Sequence, residues 1–149
     1  MNWNEYKSAF LADGSLRKIL IKNVSIDDWQ LLIDFLRSTD AKLDLYKCGE
    51  KVNLPHSVKN IVTSIEQSYS LIITLNTIKL CCEFAKGQQI ILTFDPSEVD
   101  DEIKARIIFR LMSTVGRRLD KCVILALDDG INKTLFEYTP GEGLKYLAP

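Results

Sequence analysis

Between Tyr69 and Asp95 the apolar residues alternate, change parity once, and alternate again, and few folds accommodate that pattern. The odd positions Tyr69, Leu71, Ile73 and Leu75 are apolar first. After Asn76-Thr77 the set moves to the even positions Ile78, Leu80, Cys82 and Phe84, and past Lys86-Gly87-Gln88 it continues at Ile90, Leu92 and Phe94. A strand alternates its side chains between two faces, and a two-residue turn between antiparallel strands reverses the parity. Pairing Leu75 with Ile78, Ile73 with Leu80 and Leu71 with Cys82 therefore keeps a single apolar face. The other face reads Ser70, Ile72, Thr74, Lys79, Cys81, Glu83, Gln89, Ile91, Thr93 and Asp95, mostly polar, and is expected to meet water or a partner.

Flanking segments extend this meander into a domain. A first helix is predicted over Asn4–Ala12, ended by Asp13-Gly14-Ser15. Leu16–Val24 reads as a strand with Ile19 and Ile21 on one side. Ser25 with Asp28 resembles a capping box, opening a helix on Ile26, Trp29, Leu32, Ile33 and Leu36. Ala41–Lys47 and a short strand at Val52 and Leu54 form a second hairpin about Cys48-Gly49-Glu50. Ser57–Glu66 is predicted as a short helix. A long helix follows over Asp100–Leu119, its acidic start and its Arg117-Arg118 end both suited to the helix dipole. Its spine is read as Ile103, Ile107, Leu111 and Val115, widened by Ile108, Met112 and Leu119. Cys122–Leu127 is a continuous apolar strand, Asp128-Asp129-Gly130 a turn, and Thr134–Tyr138 a last strand. Residues 139–149 read as a flexible tail with Leu144, Tyr146 and Leu147 as its apolar positions. The expected architecture is one α+β domain over 1–149, an antiparallel or mixed sheet of about six to seven strands with helices mainly on one face.

Composition narrows the function classes. The net charge of -1 supplies no concentrated basic surface for nucleic acid or an anionic membrane. No apolar run approaches the roughly 18 residues of a membrane helix, and the N-terminus has no basic segment followed by an apolar one. The expected location is the cytoplasm, which leaves the sequons at Asn23 and Asn132 idle.

Catalytic and metal motifs are lacking. His56 is the single histidine, so neither a His-rich metal site nor a two-histidine mechanism is available. Cys48, Cys81, Cys82 and Cys122 show no C-x-x-C spacing and read as reduced thiols, Cys82 as a core filler. No glycine-rich phosphate loop and no G-x-S-x-G setting occurs. Asp95, Glu98, Asp100, Asp101 and Glu102 are dense enough to suggest a cation site, but without a D-x-D-x-D-G loop the dipole of the following helix accounts for them. No cofactor and no metal is expected.

What remains is a binding surface. The partner-binding candidates are Glu83, Asp95, Glu98, Asp100, Asp101, Glu102, Asp128 and Asp129, since exposed carboxylates speed and orient encounter with a basic partner. Asp13-Gly14-Ser15-Leu16-Arg17, Asp28-Trp29 within a helix, and Thr93-Phe94-Asp95-Pro96 after an Ile-rich strand resemble small bacterial immunity-type proteins of polymorphic or contact-dependent toxin systems. That resemblance implies a non-enzymatic protein that neutralises one cognate toxin domain by stoichiometric binding. The alternatives are a small enzyme or ligand-binding domain, with Cys81, Glu83 or Asp95 at the mouth of a pocket between sheet and helices, or a regulatory subunit that homodimerises through the open sheet.

Overall fold

A computed structural model describes residues 1–64, 66–84, 88–128 and 133–147. The strands are β1 (Leu16–Lys22), β2 (Lys42–Lys47), β3 (Glu50–Val52), β4 (Tyr69–Leu75), β5 (Ile78–Glu83), β6 (Gln89–Phe94), β7 (Val123–Asp128), β8 (Thr134–Thr139) and β9 (Gly143–Tyr146). They form one antiparallel sheet in the order β3-β2-β4-β5-β6-β1-β7-β8-β9. The α-helices among the described residues are α1 (Trp3–Tyr6), α2 (Ile26–Arg37), α3 (Lys59–Val62) and α4 (Glu102–Leu119), with 3₁₀ turns at Lys7–Phe10 and Pro96–Glu98.

The meander follows the parity argument. Leu75 pairs with Ile78, Ile73 with Leu80 and Leu71 with Cys82, and Cys82 in turn lies opposite Leu92. The same face continues through Ile19 and Ile21 of β1 to Val123 and Leu125 of β7 and to Phe136 and Tyr138 of β8. These residues share one core with Tyr6, Phe10, Trp29, Leu32, Leu36, Ile61, Ile108, Met112 and Val115, so the helices cover this face. Helix α2 begins at a capping box in which the Ser25 hydroxyl accepts from the Asp28 amide and the Asp28 carboxylate accepts from the Ser25 amide. α4 packs beside α2 and across β7, β8 and β9.

Among the described residues nine strands replace the expected six to seven: the eight strand segments read from the sequence all join one sheet, and β9, in residues expected to be a flexible tail, adds a ninth. Gly141 and Gly143 both adopt positive φ, and the Glu142 amide donates to the Thr139 carbonyl, so Pro140–Gly143 is a tight turn. That turn pairs Tyr138 with Leu144 and Phe136 with Tyr146. The N-terminal segment also differs. It is one α-turn followed by a 3₁₀ turn, which lets Tyr6 and Phe10 both meet Phe109 and Phe136 while Trp3 packs on Tyr6 and Phe10. The helix expected over Ser57–Glu66 contracts to Lys59–Val62, with Ile65 outside the described residues.

Helix α4 turns differently from its expected spine. Ala105, Ile108, Leu111, Met112, Val115 and Leu119 are buried, whereas Ile103 is 70% exposed. Gly116 sits where α4 approaches β8 most closely: a Cβ there would overlap the Tyr138 ring and stand 3.1 Å from the Lys121 carbonyl.

Candidate functional site

The carboxylates singled out in the sequence fall into two places. β6 ends at Phe94, and Asp95 turns the chain into Pro96–Glu98 by accepting a hydrogen bond from the Ser97 amide at 2.9 Å. Proline at the first position of that turn has the φ the turn needs. Glu98 reaches sideways, its Oε1 accepting from the Lys79 amide at 3.3 Å, and so ties the turn to the start of β5. Asp101 caps α4 by accepting from the Lys104 amide at 2.8 Å. Asp100 pairs with Lys104 Nζ at 2.8 Å and Glu102 with Arg106 at 3.5 Å. Asp128 belongs to the same end of the sheet, because Phe94 lies opposite Arg17 and Arg17 opposite Leu127. Glu83 does not join them. It lies at the far end of β5, across from Ser70, on the face without helices. Asp129 lies outside the described residues.

Local hydrogen bonding sets the charge of this corner. Asp95 is held below the usual carboxylate range by the Ser97 amide and hydroxyl. Asp100 is held below it by Lys104, whose own ammonium is correspondingly pushed up. These groups therefore stay ionised well into acid. Among the described residues no set of His, Cys, Asp and Glu is grouped so as to hold a metal ion.

A cleft of about 450 Å³ opens at the same corner, between the N-terminal segment and residues 96–100. Trp3, Phe10, Leu11, Pro96 and Val99 form its apolar lining, with Lys7 and Asp100 at the rim. Leu11 is 62% exposed, and Ile103 stands free on the first turn of α4. One wall is made rigid by rings: Trp3 stacks on Phe10 at 6.2 Å, and Tyr6 meets Phe109 edge-on at 5.3 Å. The Tyr6 phenol is pushed up by burial and then by the nearby Glu102 carboxylate.

The same wall is anchored from below by Arg17, which is buried on the helix-facing side of β1. Its Nε donates to the Ala9 carbonyl at 2.7 Å and its Nη2 to the Leu11 carbonyl at 3.0 Å. Nη1 donates to the Ser15 carbonyl and hydroxyl, and both terminal nitrogens reach the Asp13 carboxylate. The string Asp13-Gly14-Ser15-Leu16-Arg17 is thus a structural clamp that fixes residues 9–15 to the sheet. No motif or periodicity in the sequence marks this cleft; its signals are Arg17 at an inward-facing strand position and the aromatic residues at positions 3, 6 and 10.

The remaining chemical candidates sit apart. Cys81 and Glu83 point away from the helix layer, so they do not edge a pocket between sheet and helices. Burial and then Glu83 push the Cys81 thiol up, and burial pushes Cys82 much further. His56 contributes its carbonyl, which accepts from Gln30 and from Arg37, each at 2.9 Å. No helix among the described residues is long and apolar enough to cross a membrane. No protein-family model, curated protein or solved structure matches the chain.

Proposed function

We propose that this chain is a non-enzymatic binding protein of the bacterial immunity type, acting in the cytoplasm by stoichiometric occlusion of a cognate toxin domain. The observation that carries the reading is the apolar cleft between the N-terminal segment and residues 96–100, with Asp100 at its edge, Leu11 of its lining exposed, and Ile103 exposed on the first turn of α4. Protein interfaces concentrate their energy in a few apolar or aromatic anchors that enter a pocket, surrounded by a polar rim. Lys7 and Asp100 edge the cleft, and the adjoining connection into α4 adds the carboxylates of Asp95, Glu98, Asp101 and Glu102, which favours a basic surface on the partner and raises the rate of productive encounter. The Arg17 clamp and the aromatic wall hold the cleft in shape before binding, which lowers the ordering cost of association.

The test starts from the gene's immediate neighbours: a toxin domain encoded there is co-expressed with this chain. The expected result is a 1:1 complex and protection of the cell, both lost on Ile103→Asp or Leu11→Asp with the fold retained. Turnover of a substrate by the purified chain alone would overturn the reading, as would a complex indifferent to both substitutions.

A further inference from the structure

Helices α2 and α4 pack together over the sheet, and a groove of about 360 Å³ lies between the end of α2, the β4–β5 turn and the middle of α4. Its lining is mainly apolar: Phe35, Leu75 and Ile107 are half-buried against the core, and Leu111 is buried. Ile107, expected in the buried spine of α4, stays half-open because it lines this groove. The Arg118 guanidinium lies 5.0 Å from the centre of the Phe35 ring and supports that wall. Small-molecule sites have this character, an apolar lining with a few placed polar groups, and this volume is at the small end of their range.

Two charges of opposite sign, Asp40 and Arg110, line the same groove. Both are exposed, and among the described residues neither side chain takes part in a hydrogen bond or an ion pair. Helix electrostatics does not place them. Asp40 follows the end of α2, where the negative end of the helix dipole disfavours a carboxylate. Arg110 stands four residues after Arg106, a like charge on the same face of α4. Asp28 and Asp101, by contrast, cap their helices, and Asp100 and Glu102 pair with a base one turn on.

The pair of charges selects the ligand. An apolar acid would gain Arg110 but face Asp40, and an apolar amine the reverse. A molecule with both charges beside an apolar side chain uses both. We propose that the groove binds a zwitterionic apolar α-amino acid, with its carboxylate on Arg110, its ammonium on Asp40 and its side chain against Phe35, Leu75, Ile107 and Leu111. The planar guanidinium suits a carboxylate, which it can hold with two parallel hydrogen bonds. The groove shares no lining residue with the cleft at residues 96–100, so the amino acid binds whether or not a toxin domain is the partner.

Titration of the full chain with L-phenylalanine and with L-leucine, followed by backbone amide NMR shifts, tests the proposal. At least one of the two is expected to bind with a Kd of about 1 mM or tighter. The shifted amides should centre on the groove lining. The N-acetyl derivative of that amino acid lacks the ammonium and its amide lacks the carboxylate, and each should bind about fivefold more weakly. Arg110→Gln should weaken the free amino acid to the level of the amide while leaving the amide itself unchanged. Asp40→Asn should do the same with respect to the N-acetyl derivative, a pairing of variant with ligand group that general loosening of the fold would not reproduce. The proposal is overturned if neither amino acid shifts the groove amides up to about 10 mM. It is equally overturned if the two derivatives bind as tightly as the free amino acid, or if both substitutions leave its affinity unchanged.

Discussion

The carboxylate of Asp13 grips the guanidinium of Arg17 with both oxygens, Oδ1 at 3.2 Å from Nη1 and Oδ2 at 3.3 Å from Nη2. The two partners live in different environments: Arg17 is 1% exposed, whereas the Asp13 side chain is about half in solvent. The arginine is therefore the costly member, and its stability rests on every N–H finding an acceptor. Arg17→Ala strands the carbonyls of Ala9 and Leu11 and leaves a void beneath the N-terminal segment. The expected loss is about 2–4 kcal/mol in urea unfolding.

The same contact makes stability depend on acidity. Arg17 and then Ser15 hold the Asp13 carboxyl well below its ordinary range. In the unfolded chain the group returns to about 3.9. A carboxyl whose pKa is depressed by folding stabilises fully above its unfolded value and loses that contribution as pH falls towards the folded one. Asp44, Asp95 and Asp100 are shifted the same way. The urea midpoint is expected to fall from pH 5 to pH 2, and Asp13→Asn should fall less steeply. Parallel declines would mean that the Arg17 contact contributes nothing to the acid limb.

Gly116 and Tyr138 set the distance between α4 and the sheet. The Tyr138 ring is buried and cannot swing aside for a new methyl group. Gly116→Ala is expected to cost about 1–3 kcal/mol through overpacking, despite the better helix propensity of alanine. Adding Tyr138→Leu should make the alanine nearly neutral, a coupling that a double-mutant cycle in urea measures directly.

Thiol reactivity should grade with depth. Cys48 and Cys122 are exposed, Cys81 is half-buried and Cys82 is buried, and all four are free. Burial disfavours the thiolate, which is the reactive form. Two thiols are expected to react with an aromatic disulfide reagent at once, Cys81 slowly, and Cys82 only when denaturant opens the core. A fast third thiol would place Cys81 outside the sheet face described for it.

The sheet register was legible because each strand buries one face, so a one-residue slip in the meander would expose every apolar side chain from Leu71 to Phe94. The capping box at Ser25 and Asp28 and the acidic start of α4 were legible for equally local reasons. β9 was not, since its apolar signal is only Leu144 and Tyr146, and a Pro- and Gly-rich stretch reads alike as a tight turn or a tail. The cleft was hidden for a different reason. Its walls come from residues 3–11 and 96–100, and no periodicity reports that β1 and β6 bring those segments together. The carboxylates were visible as a run, but their engagement in caps and i,i+4 pairs needed the geometry of α4.

That engagement decides which acidic residues can report on partner binding. Asp101 caps α4 and Glu98 holds the Lys79 amide, so reversing either would disturb the fold and confuse the outcome. Asp100 pairs with Lys104 and Glu102 with Arg106 at the surface, and such exposed pairs contribute little to stability. Asp100→Lys with Glu102→Lys should therefore leave the thermal midpoint within a few degrees of wild type. Against a basic toxin domain the pair should slow association about tenfold and flatten its dependence on salt, while dissociation changes less. Stopped-flow mixing at low and high ionic strength separates these rates. An association rate and salt slope equal to wild type would show that the acidic corner does not face the partner.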